Sequence, residues 1–148
     1  MHKAFFITGG EPKDKTVQPQ ASRFYQLMSY FLSYKGVQCE SEEFKGQFLD
    51  RLIPKDTTIL LGHSEGASAI AKEYDYANLK KVRYIILFDP EEEQLKNLET
   101  SPVKKSIFFS YDKAPEGEIL IPHRVMEDNP YFNETMAEIH KNLDSFLD

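Results

Sequence analysis

The stretch Gly62-His63-Ser64-Glu65-Gly66 sets a serine two residues from a glycine on either side. An apolar, β-branched run, Thr57 to Leu61, precedes it, and a small-residue run, Ala67 to Tyr76, follows. The first reads as a buried strand and the second as a closely packed helix. The serine therefore falls on a sharp strand-to-helix turn, where small neighbours let the backbone pass. The helix that begins there aims its first amide N–H groups, and the positive end of its dipole, at the surroundings of the hydroxyl. Such an arrangement suits nucleophilic attack on a carbonyl, with backbone donors holding the oxyanion.

A serine hydroxyl is a weak nucleophile at neutral pH. It needs a base, usually histidine, oriented by a carboxylate. The chain has four histidines, His2, His63, His123 and His140. His140 lies between Met136 and Leu143 on the apolar stripe of the last helix, which reads as a packed helix residue. Two carboxylates end strands: Asp112, in Ser110-Tyr111-Asp112, and Asp89, before Pro90. Asp89 also has a structural use as cap of a helix that opens Pro90-Glu91-Glu92-Glu93, so Asp112 is preferred as the acid.

The elements that must position these groups alternate between strand and helix. Lys3 to Thr8 reads as a buried strand ending at Gly9-Gly10, followed by a polar loop, Glu11 to Gln20. From Ala21, the residues Phe24, Tyr25, Met28, Phe31 and Leu32 recur at helical spacing, and Gly36 is placed to end that helix. Val37 to Glu40 is a brief strand. Phe44, Phe48, Leu49 and Leu52 predict a second amphipathic helix, stopped by Pro54. Val82 to Phe88 and Ser106 to Ser110 are the next strands, Ile119 to Met126 a weaker sixth, and a final helix runs from about Asn133. Strands alternating with helices imply a single α/β domain over residues 1–148, a three-layer sandwich with a mostly parallel sheet of about six strands.

On the Gly-His-Ser-Glu-Gly-Ala motif, the chain resembles the α/β-hydrolase superfamily, and within it the small, lidless serine hydrolases similar to retinoblastoma-binding protein. The resemblance implies strand order 2-1-3-4-5-6 and a truncated version of that fold, lacking its first two strands. Ser64 then matches the nucleophile. The Glu65 N–H matches one oxyanion donor, and the Gly9-Gly10 turn supplies the second, at Gly10. Gly9 and His63 would border the substrate. The family's chain order of nucleophile, acid, histidine removes His2 and His63 as bases and leaves His123 and His140, with Asp112 at the usual acid position and Asp89 at one that some members use. The catalytic set implied is Ser64, Asp112 and His123. The family's histidine belongs in the loop before the last helix, here Glu127 to Tyr131, which contains none. A hydrolase-like binding protein without turnover is the alternative. Strand order also matters by itself: ligands of open α/β sheets bind at the carboxyl ends of the strands where the order reverses, which here lies between the Gly9-Gly10 turn and Ser64.

Composition narrows the partners. The 148 residues carry 24 acidic and 18 basic side chains, a net charge of −6, which argues against a nucleic-acid groove. One cysteine, Cys39, excludes an internal disulfide and a multi-cysteine metal site, and reads as a small buried hydrophobe. No phosphate-binding loop or dinucleotide fingerprint occurs, and no run reaches the length of a membrane span. The expectation is a cytoplasmic serine hydrolase of esters or thioesters. It would act on a small-molecule acyl substrate with no cofactor, no metal, no nucleic acid and no membrane.

Overall fold

The computed structural model describes residues 2–9, 18–74, 79–109, 119–120 and 132–147. Five strands form one parallel sheet: β1 (Lys3–Thr8), β2 (Gln38–Glu43), β3 (Ile59–His63), β4 (Tyr84–Phe88) and β5 (Lys104–Phe109). Their order is β2-β1-β3-β4-β5. Ile119 and Leu120 pair in parallel with Phe108 and Phe109 at the outer edge of β5. The rest of the expected sixth strand, to Met126, lies outside the described residues.

The central strands β1, β3 and β4 are buried almost throughout and mostly apolar because helices cover both faces. Successive side chains alternate between the two layers. Phe6, Leu61, Ile86 and Phe108 face Met28 and Leu32 of helix α1 (Gln18–Tyr34) and Ile139 and Leu143 of helix α5 (Phe132–Leu147). Ile7, Leu60, Ile85 and Leu87 face the other layer. That layer holds helix α2 (Leu49–Leu52), helix α3 (Glu65–Glu73), and a 3-10 turn (Glu92–Leu95) running into helix α4 (Lys96–Glu99). Complete burial of each large aliphatic chain contributes about 1.5–3 kcal/mol. The edge strand β2 is polar, with Glu40, Ser41 and Glu42 exposed, which suits an unpaired sheet edge.

Local signals behave largely as the residues dictate. Gly36 adopts φ +79°, Val37 N–H reaches back to Leu32 O at 2.9 Å and Gly36 N–H to Ser33 O at 2.9 Å, a glycine-closed helix end. Tyr84 Oη meets Ser106 Oγ at 2.6 Å between β4 and β5, and the part-buried Lys104 Nζ donates to Asn142 O of the last helix at 2.9 Å.

Two helix expectations are corrected. The amphipathic helix anticipated over Phe44 to Leu52 forms only at Leu49–Leu52. Before it, Phe44 N–H donates to Thr8 O at 3.0 Å, Gly46 turns at φ +84°, and Gln47 bonds to the backbone of Lys45 and Glu43. Those bonds hold the segment extended and turned; Phe44 still packs on the edge of the core, while Phe48 is turned out of it. Second, Asp89 caps no helix. The 3-10 turn starts at Glu92 with Glu91 ahead of it, and Asp89 stands apart at φ +56°.

Candidate active site

Ser64 sits between the end of β3 and the first turn of α3 with φ 57° and ψ −117°. A residue with a Cβ reaches this region only under strain, at a cost of about 1–3 kcal/mol, and holds it where the surroundings leave no other path. The surroundings here are specific. Ser64 N–H donates to Phe88 O at 2.8 Å, which ties the turn to β4. Ser64 O accepts from Ser68 N–H at 3.0 Å, the first bond of α3. The hydroxyl-bearing side chain is half-buried at the carboxyl end of the sheet.

The flanking glycines have a steric cause. A Cβ on Gly62 would lie 2.6 Å from Ile70 Cδ1 and 2.8 Å from Ala67 Cα, so α3 could not fold back over β3. A Cβ on Gly66 would lie 2.9 Å from both Ile7 C and Ile7 Cγ2, with Ile7 O nearer still. The helix thus presses its first turn against β1 and β3 at once.

The first turn of α3 has no preceding helical carbonyls for its amides, so Glu65 N–H opens a set of donors beside Ser64. The chain leaving β1 meets them. A Cβ on Gly9 would stand 3.1 Å from Ser64 Cβ, 3.1 Å from His63 O and 3.7 Å from Glu65 N. The turn after β1 therefore packs against the Ser64 turn at Gly9; Gly10 lies outside the described residues.

His63 is buried and faces the α1 layer. Its Nδ1 lies 2.8 Å from Tyr25 Oη, and the two rings meet edge to face. Burial pushes the Tyr25 phenol up to about 12, against the opposing effect of a hydrogen bond from the Gly9 backbone. Tyr25 thus joins α1, the Gly9 turn and β3.

An open cleft of about 1010 Å³ runs from Ser64 along α3. Ser64 and Asp89 both line it, with Phe44, Phe48, Pro90, Glu91 and Gln94. Glu91 N–H donates to Ser68 Oγ at 2.8 Å, which anchors that far rim to α3. Asp89 is buried, and its N–H donates to Phe108 O at 2.7 Å. Asp89 thus borders the cleft and starts no helix. Gly9 and His63 do not line this cleft among the described residues; they back the elbow from the β1 and α1 sides.

No family model, curated protein or solved structure matches this chain.

The histidines separate by position. His2 precedes β1, its Nδ1 3.1 Å from Thr58 Oγ1, at the amino ends of the strands. His140 lies near the same end, its Nε2 3.0 Å from Asp144 Oδ2 and 3.2 Å from Lys35 Nζ. It is exposed, not packed on the apolar stripe as its spacing suggested, because Ile139 and Leu143 take the buried positions. The Lys35 ammonium holds the Asp144 carboxyl below the usual carboxylate range. Asp112 and His123 lie outside the described residues. Sequence reasoning missed Phe44 and Phe48 as cleft residues, since their spacing of four also fits a helix face. It missed Tyr25 as a tie, although a tyrosine on a buried stripe must place its hydroxyl somewhere. Cys39 is half-buried, and burial pushes its thiol up to about 11. Among the described residues, no helix is long and apolar enough to cross a membrane.

Proposed function

We propose that this chain is a small serine hydrolase that cleaves carboxylic esters or thioesters through an acyl-serine intermediate, on a core like that of the α/β-hydrolases. The observation that carries the reading is the Ser64 backbone, at φ 57° and ψ −117° between Gly62 and Gly66. A turn held in a strained conformation by packing on three sides points to use, since a strand-to-helix connection does not need it.

In this reading Ser64 Oγ attacks the substrate carbonyl. The oxygen that becomes negative is held by Glu65 N–H, at the positive end of α3, and by the Gly10 N–H. One such donor is worth about 3–4 kcal/mol of barrier. His123 takes the serine proton and returns it to the leaving group, with Asp112 orienting the imidazole. Water then attacks the acyl-serine by the same route and frees the acid. Asp89 is a second candidate for the orienting carboxylate, favoured by its place on the cleft wall beside Ser64 and by its absence from any helix cap.

Covalent labelling with an alkyl fluorophosphonate tests the proposal. The wild-type protein is expected to take up one label at Ser64, and Ser64→Ala none. Equal, slow labelling of both proteins overturns it.

A further inference from the structure

The cleft carries more than the nucleophile. Ser64, Ser68 and Lys72 follow one another at every fourth residue along α3, and Ala69 and Glu73 form the neighbouring row. The exposed face of α3 is therefore the floor of the cleft, about 13 Å long at 1.5 Å per residue. Phe44 and Phe48 line the same cleft. Phe48 is 66% exposed, with the Arg51 guanidinium 5.8 Å from its ring centre. A groove of this length with an aromatic wall suits an extended hydrocarbon chain, which gains roughly 0.8 kcal/mol for each methylene it buries.

Charge selects further. Glu65, Glu73 and Glu91 border the cleft, against Lys72 in its lining and Arg51 stacked on Phe48 as the cations among the described residues there. A surface with this excess of carboxylates repels an anionic substrate and attracts a cationic one.

Resting on the hydrolase reading, we infer that the cleft selects esters whose extended apolar chain lies along α3 against Phe44 and Phe48. The substrate is uncharged or cationic, and thioesters of polyanionic carriers are turned away. The three glutamates act over the length of the groove, so discrimination falls with ionic strength.

Labelling rates at Ser64 test this with three fluorophosphonates: one ethyl, one decyl, and one decyl chain ending in a carboxylate. The decyl probe is expected to label at least tenfold faster than the ethyl probe. The carboxylate-ended probe is expected to lag the decyl probe tenfold at low salt and to recover in high salt. Phe48→Ser removes the chain-length preference, and its side chain is exposed enough for the fold to tolerate the change. The double variant Glu73→Lys, Glu91→Lys removes the charge preference. Equal rates for the ethyl and decyl probes overturn the inference and leave the hydrolase reading standing. Absence of labelling by every probe overturns both.

Discussion

Tyr25 Oη lies 2.8 Å from His63 Nδ1, joining the helix that follows the first glycine turn to the residue before Ser64. The pair is a buried tie between α1 and β3, within reach of the Gly9 backbone. It holds together the two turns that meet at the elbow.

Removing the Tyr25 hydroxyl tests that tie. Tyr25→Phe is expected to lower stability to urea by about 1 kcal/mol, the worth of one internal hydrogen bond. It is also expected to change the alkaline limb. Burial raises the Tyr25 phenol to about 12 in the folded protein, from an ordinary value of 10.0. The unfolded chain therefore loses its proton first, and stability that is complete below pH 10 falls as pH rises towards 12. In Tyr25→Phe that fall is expected to be shallower, leaving the contributions of the Cys39 thiol and the Tyr84 phenol, which burial also raises. Urea midpoints measured at steps between neutral pH and the alkaline limit check both statements.

Backbone strain at Ser64 has a signature of its own. Glycine adopts positive φ freely, so Ser64→Gly is expected to stabilise the fold by about 1 kcal/mol, after the extra chain entropy of glycine is set against the relieved strain. Ser64→Ala keeps a Cβ and is expected to change stability by less than about 0.5 kcal/mol. Both variants lose fluorophosphonate labelling. A destabilised Ser64→Gly would show that the turn is not strained.

The glycines differ in what they touch. Gly66→Ala drives a methyl into the Ile7 backbone and is expected to cost about 3 kcal/mol or prevent folding. Gly9→Ala meets His63 O and Ser64 Cβ at 3.1 Å, so small shifts absorb it, at about 1 kcal/mol. Its larger effect is expected on labelling, since the shift moves the Gly9 turn away from the elbow. Chemical denaturation and labelling rates of the two variants give the order directly.

Replacing each carboxylate in turn assigns the acid. Asp112→Asn is expected to lower kcat by about 10⁴-fold with KM little changed, the effect of an orienting acid replaced by an amide. Asp89→Asn is expected to cost less than about tenfold on this assignment. The reverse ranking gives the role to Asp89, on the cleft wall beside Ser64. His123→Ala belongs in the same series and is expected to match the larger loss.

Much of this architecture is written in short-range pattern. Apolar runs such as Ile59 to Leu61 and Tyr84 to Phe88 can be buried on both faces only in a covered parallel sheet. Gly62 and Gly66 announce the elbow because close backbone approach forbids a Cβ, a demand that appears in the residue types themselves. Local pattern fails where partners are distant. The spacing of Phe44 and Phe48 fits a helix, yet hydrogen bonds to the ends of β1 and β2 hold that segment as a loop and turn the two rings to the cleft. Asp89-Pro90 has the composition of a helix start, yet the bond of Asp89 N–H to Phe108 O draws the chain along the sheet, and the helical turn begins only at Glu92.

The amino-acid sequence by itself determined the layers, the strand-helix alternation and the serine at its glycine-flanked turn, since each depends on neighbours within a few residues. Tertiary structure alone decided that Gly9 packs on Ser64, that Asp89 lines the cleft, and that Tyr25 meets His63. It also decided that His140 stands near the amino ends of the strands. Those relations join residues brought together only when the sheet assembles, and steric fit across the strands, not local preference, sets them.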